Sequence, residues 1–367
     1  MTVTAKAAIL PAVSGLFSIE ELVLPEPSDD ELLVKVAGCG ICHTDVKVSR
    51  GYANVPLPVV LGHEGSGTVL AAGAHCGDFQ EGDHVIMTFP SCGHCVSCRE
   101  QHPAYCDIGQ ELSFACRRPE RAPLGSSQGE TIHGAFFGQS SFSTHALVSA
   151  RNAVKVNKDL PLSSLGPLGC GFQTGAGAVL NVLQPSPGES LAVFGAGNVG
   201  LSAIMAARIA DMGPVIALDI NEERLALAKM LGATDVINLT IEKYPVEAIH
   251  QLSGGKGVRY SLDTTNRPEV IRQAFEGLGN RGTCIHSGGG GKDFTFPGSH
   301  LLHGRTVTGV IQGDSNPRVF IPQLLDYFSQ GQFPFDRLLN FYPLEEINRA
   351  LEEMEKGSVV KPVLRMS

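Results

Sequence analysis

Residues 191–219 run LAVFGAGNVGLSAIMAARIADMGPVIALD, and no other stretch narrows the fold as far. An apolar run suited to a buried strand leads into Gly195-x-Gly197-x-x-Gly200, a helical run follows, and PVIALD forms a second strand. The first glycine permits the tight turn, the second lets a pyrophosphate approach the backbone, and the third lets helix pack on strand. The helix N-terminus then offers free N–H groups to the anion. Asp219 closes the second strand, the place for a carboxylate that grips adenosine ribose hydroxyls and repels a 2′-phosphate. The stretch therefore predicts NAD rather than NADP, bound through Gly195, Gly197, Val199, Gly200 and Asp219. Arg224 is the nearby cation that leaves the phosphorylated cofactor open.

The alternation continues through ERLALAKMLGA, DVINL, VEAIHQLSG, YSLDTT, PEVIRQAFEGLG and GTCIHSG. Strands alternating with amphipathic helices mean βαβ units, so the expected class is α/β with a doubly wound parallel sheet of the Rossmann type. Upstream, ELLVKVAG and similar runs broken by PEPSDDE, then a Gly-, Cys- and His-rich region to about residue 150, predict a domain of strands and loops. The tail carries two helices, FIPQLLDYFSQGQ and LEEINRALEEMEKG, and the strand VVKPVLRM, closer in character to the N-terminal part. A chain of 367 residues exceeds one comfortable core. The expected division is residues 1–171 with 312–367 in one domain and 172–311 in the nucleotide-binding one.

A formal net charge of −9 disfavours nucleic acid or an anionic membrane as partner. No apolar run reaches bilayer length, and the first 25 residues lack the basic start and cleavage pattern of a secretory signal. The expected location is cytoplasmic, where ten cysteines point to metal rather than to disulfides. SCGHCVSCREQHPAYC sets Cys92, Cys95, Cys98 and Cys106 in the pattern C-x2-C-x2-C-x7-C. Thiolates two residues apart on a turn converge on one tetrahedral ion, and four sulfurs leave no open position. The lobe at about 91–107 therefore predicts a structural zinc, with a four-cysteine iron–sulfur cluster as the rival and His94 and His102 as surface residues.

The remaining candidate ligands are Cys39, Cys42, His43, His63 and Cys170, within CGICHTD, LGHEGSG and GPLGCGFQTGAGA. A catalytic zinc keeps three protein ligands and one open position, and Cys2His suits it. Spacing alone does not choose between Cys39 and Cys42. A redox pair at Cys39-x-x-Cys42 lacks the thioredoxin-like surroundings it would need.

CGICHTD, LGHEGSG, CGHCVSCREQHPAYC, GPLGCGFQTGAGA and GAGNVG occur in the order seen in zinc-dependent medium-chain alcohol dehydrogenases, which the chain resembles from end to end. GPLGCGFQTGAGA, FFGQSSFSTHAL and FIPQLLDYFSQGQFPFDRLLNFY are similar to the aryl-alcohol (benzyl alcohol) branch and its terpene-alcohol relatives. The resemblance implies a GroES-like, β-rich catalytic domain, two zinc ions per chain and NAD. It implies Cys42, His63 and Cys170 as ligands of the catalytic zinc, with Cys39 a buried filler. Glu64 resembles a carboxylate that exchanges with the solvent ligand, and Asp45 the group that holds the zinc-bound imidazole in one tautomer. Thr44 matches the acceptor of the alcohol proton, and His43 and Lys361 match contacts to the cofactor pyrophosphate.

The implied reaction is hydride transfer between a small primary aromatic or allylic alcohol and NAD, with zinc as Lewis acid. A homo-oligomer, dimer or tetramer, is expected. Two residues depart from the family pattern. Lys47 stands where liver-type enzymes carry a relay histidine, and His286 in GTCIHSGGGG stands where an aliphatic residue precedes Gly and Pro. Same-fold alternatives are a geraniol-type, a glutathione-dependent formaldehyde or a polyol dehydrogenase. A zinc-stabilised nucleotide-binding redox sensor without turnover is the alternative of another class.

Overall fold

The computed structural model describes residues 3–117, 124–126, 129–288 and 293–366. Two compact units make up the chain: Met1–Cys170 with Asn316–Pro322 and Asp336–Ser367, and Gly171–Ser315 with Gln323–Phe335. Among the described residues no helix is long and apolar enough to cross a membrane.

In the first unit the strand Glu31–Gly40 is the organiser. Its alternate side chains serve two cores, as a pleat with period two requires. Leu32, Val34 and Val36 pack with Val69, Val85, Met87 and Val148, while Leu33 and Cys39 face a larger cluster that includes Ile9, Leu61, Phe136 and Phe142. The strand pairs antiparallel with Gly65–Ala72, with His145–Ser149 and with the C-terminal strand Lys361–Arg365. Register places Gly65 opposite Cys39 and Val363 opposite Gly40. Two segments far apart in sequence thus meet CGICHTD, residues 39–45: residues 63–65 and residue 361.

The second unit is built on six parallel strands: β1 (Leu191–Phe194), β2 (Val215–Asp219), β3 (Asp235–Asn238), β4 (Val258–Asp263), β5 (Leu278–His286) and β6 (Thr306–Gly309). Their order is β3-β2-β1-β4-β5-β6. β1 and β2 are buried throughout, as apolar strands covered on both faces should be. Helices Asn198–Ile209, Glu222–Leu231, Pro245–Leu252 and Pro268–Glu276 alternate with them. Asn221 caps the second of these, its side chain accepting the Arg224 N–H at 3.1 Å.

Three features differ from expectation or extend it. The alternation runs one strand further than GTCIHSG, into the edge strand TVTG. Residues 323–335, expected with the first unit, cluster with the second, because Phe333 and Phe335 pack on Phe172. GFQTGAG, whose composition does not mark it as helical, forms the helix Gly171–Gly177 and continues in wider turns over Ala178–Leu183. Its glycines lower helix propensity but allow close packing. A Cβ at Gly175 would sit inside the van der Waals shell of Val199 O in the helix Asn198–Ile209.

Candidate active site

CGICHTD turns from strand into the short helix His43–Ser49, with Cys42 in extended backbone just before it. Asp45 is fully buried in the first turn and accepts three N–H groups: Cys42 N at 2.9 Å, Gly62 N at 3.2 Å and His63 Nδ1 at 3.0 Å. One carboxylate therefore ties the Cys42 segment to the His63 segment. It also fixes the tautomer, since Nδ1 must carry the hydrogen it donates. His63 is buried, and its other nitrogen, Nε2, is a buried polar atom without a hydrogen-bond partner. Such an atom destabilises the fold unless a ligand takes its lone pair.

The donor atoms of Cys42, His63, Glu64 and Cys170 all lie within 4.8 Å of one another. Two sulfurs and an imidazole lone pair form a donor set that suits zinc. The Cys170 sulfur lowers Cys42 well below the ordinary thiol range against the effect of burial, with His63 adding to it. The same contact, joined by burial, pushes Cys170 well above that range. Cys39 lies outside this set, buried with its sulfur 3.1 Å from Ser141 Oγ.

Glu64 is the fourth potential donor, but it is already engaged. Lys361 Nζ donates to Glu64 Oε1 at 2.9 Å, to Oε2 at 2.8 Å and to Ile41 O at 3.0 Å, and both side chains are buried. Burial lifts Glu64 to about 7 even with this ammonium beside it. To occupy a metal's fourth position Glu64 would have to leave Lys361. The resemblance implies Lys361 as a contact to the cofactor pyrophosphate; in the structure it is buried and its Nζ donates to Glu64 and to Ile41 O. His43 is exposed, Lys47 and Thr44 are half-buried, and Thr44 Oγ1 lies 3.8 Å from Cys42 Sγ.

Sequence reasoning missed Gln139 and the two phenylalanines before it. Gln139 Nε2 donates to His63 O at 2.9 Å and Thr88 O at 3.3 Å, while Oε1 accepts from Gly65 N at 3.1 Å and Ser141 Oγ at 3.0 Å. Phe137 stacks on the His63 ring at 4.5 Å between centroids, and Phe136 meets it edge-on at 5.7 Å. The signal was a lone amide in FFGQSSFS: a polar side chain in an apolar run needs buried partners.

Cys92, Cys95, Cys98 and Cys106 form a second convergent set, with sulfurs within 4.8 Å of one another. Backbone N–H groups of Cys95 and His94 donate to Cys92 Sγ, and that of Cys92 donates to Cys106 Sγ at 3.2 Å. Burial opposes ionisation of Cys92, yet those N–H groups from His94 and Cys95 hold it at about 6. Four sulfurs complete a tetrahedron, so this set can hold an ion but offers a substrate no place. His94 and His102 are exposed, and all ten cysteines are free of disulfides.

In the second unit the glycine turn follows β1. Gly195 has φ +95°, a conformation that disfavours a side chain, and a Cβ on Gly200 would collide with Gly195 O. A Cβ on Gly197 would meet nothing within 4 Å, so the space above the helix N-terminus is open. That is the cradle a pyrophosphate needs. Asp219 ends β2 and accepts Ala196 N at 2.6 Å and Asn221 N at 2.8 Å, which fixes its carboxylate beside the turn. Val199 lies in the first turn of the helix and Arg224 is half-buried in the next one.

Residues 28–158 match the model of the alcohol dehydrogenase GroES-like domain, and residues 198–330 that of the zinc-binding dehydrogenases. A geraniol dehydrogenase from Castellaniella defragrans is 44% identical over 366 residues, covering 99% of this chain and 98% of that protein. Among solved structures, an alcohol dehydrogenase zinc-binding domain protein from Burkholderia ambifaria has TM-score 0.97 and 47% identity, with full coverage of both chains. A benzyl alcohol dehydrogenase from Acinetobacter calcoaceticus has TM-score 0.94 and 42% identity, again with full coverage of both.

Proposed function

The chain belongs to the zinc-dependent medium-chain alcohol dehydrogenases, and from that premise we propose that it interconverts primary benzylic or allylic alcohols and their aldehydes with NAD. The observation that carries the catalytic part is the meeting of Cys42, His63 and Cys170, with His63 Nε2 buried and unpartnered. When bound, zinc supplies Lewis-acid polarisation of the alcohol oxygen and NAD supplies the hydride acceptor. The chain does the rest. Asp45 aims the His63 lone pair, and Lys361 keeps Glu64 occupied so that the fourth position is left to substrate. The Thr44 hydroxyl accepts the alcohol's hydrogen bond and relays the proton, giving up its own hydrogen towards solvent, and Phe136 and Phe137 wall the imidazole from water. Asp219 holds the adenosine ribose, with Gly195, Gly197, Val199 and Gly200 around the pyrophosphate.

Support for the substrate class comes from the two named relatives. Geraniol and benzyl alcohol share a hydroxymethyl group on an unsaturated carbon, so oxidation yields a conjugated aldehyde. Steady-state NADH production from benzyl, cinnamyl, geranyl and short aliphatic alcohols tests this. The unsaturated alcohols should exceed the aliphatic ones in kcat/KM by roughly 10–100-fold, the range hydrophobic pockets achieve. Equal values, or activity on formaldehyde that requires glutathione, would contradict it.

A further inference from the structure

β4 and β5 end side by side on Asp263 and His286, which are register partners. Asp263 is fully buried and accepts Thr265 N at 3.1 Å, Thr265 Oγ1 at 2.7 Å, Asn266 N at 3.2 Å and His286 Nδ1 at 3.0 Å. Asp263 accepts at every one of these contacts, so the hydrogen between the two sits on His286 Nδ1, the tautomer in which Nε2 keeps its lone pair as an acceptor. Nε2 has no hydrogen-bond partner among the described residues, and the side chain keeps 18% of its surface open.

The strand order consists of two mononucleotide halves that meet at β1 and β4. Asp219 and the glycine turn give the β1–β3 half to adenosine and pyrophosphate. The nicotinamide nucleotide then belongs to the β4–β6 half, on the carboxyl edge where His286 ends its strand. Besides its ring, nicotinamide offers one polar handle, a carboxamide with two N–H donors and a carbonyl acceptor. We propose that His286, held by Asp263, accepts a hydrogen bond from the nicotinamide carboxamide and so fixes which way the nicotinamide ring lies. This rests on the NAD reading above and adds a side chain to it at the cofactor's reactive end.

Calorimetric titration of the zinc-loaded full chain tests it without turnover. Three probes are used: NAD, ADP-ribose, which lacks nicotinamide, and acetylpyridine adenine dinucleotide, in which a methyl replaces the amide nitrogen. Wild type should bind the acetylpyridine analogue about tenfold more weakly than NAD, the scale of one hydrogen bond. His286→Asn keeps a donor for Asp263 but removes the Nε2 acceptor. It should weaken NAD about tenfold, leave ADP-ribose unchanged and erase the discrimination against the analogue. Equal wild-type affinity for NAD and the analogue overturns the proposal whether or not the variant folds. So does equal loss of NAD and ADP-ribose in the variant, or unchanged NAD binding. Wild type that binds neither NAD nor ADP-ribose overturns the NAD reading instead.

Discussion

At the residue scale, three candidate ligands from distant segments were visible as soft donors in glycine-rich motifs, but their environment was not. Cys42, His63 and Cys170 are named by resemblance; nothing in spacing separates Cys42 from Cys39. The structure separates them through Asp45, which draws the Cys42 backbone and the His63 ring together, whereas Cys39 turns to Ser141. The pairing of Glu64 with Lys361, 297 residues apart, is set by the register of the C-terminal strand and has no local signal. Cys170→Ala should abolish NADH production while circular dichroism shows a folded protein; retained turnover would remove Cys170 from the metal site. Lys361→Met leaves Glu64 buried without its counter-charge. Breaking such a pair costs about 3–5 kcal/mol, so denaturant unfolding should show a loss of that order, and an unchanged midpoint would contradict the buried pair.

At the element scale, regular alternation made the parallel sheet legible strand by strand, because buried β and amphipathic α patterns differ in period. The helix Gly171–Gly177 escaped because packing against Val199, not propensity, stabilises it. The strand Thr306–Gly309 escaped because an edge strand of four residues, none of them buried, carries little apolar pattern. The glycine turn and the end of β2 act as one piece, since Asp219 accepts the Ala196 N–H inside the turn. Asp219→Gly should therefore raise the apparent constant for NAD by about tenfold or more, two or more hydrogen bonds being lost, and narrow the preference over NADP. Initial-rate kinetics with both cofactors checks this, and an unchanged constant for NAD would remove the ribose contact.

At the scale of the whole molecule, each unit closes around its own core, and the change of sequence character near residue 175 marks where the second begins. The return of the chain is less regular than its motifs suggest, because aromatic packing on Phe172 draws residues 323–335 to the second unit. We assign the four-cysteine lobe to stability rather than chemistry, because four converging sulfurs leave no open position. Cys98→Ser should lower the Tm and speed thermal inactivation while the remaining folded enzyme keeps its kcat; a variant as stable as wild type would contradict a structural ion there.

The most direct test of an open zinc centre is the zinc content per chain, measured by mass spectrometry on wild type and on Cys170→Ala. Two convergent donor sets predict two ions in wild type and one in the variant, with the survivor held by the cysteine quartet. A single ion in wild type, or two retained in Cys170→Ala, would contradict the centre formed by Cys42, His63 and Cys170.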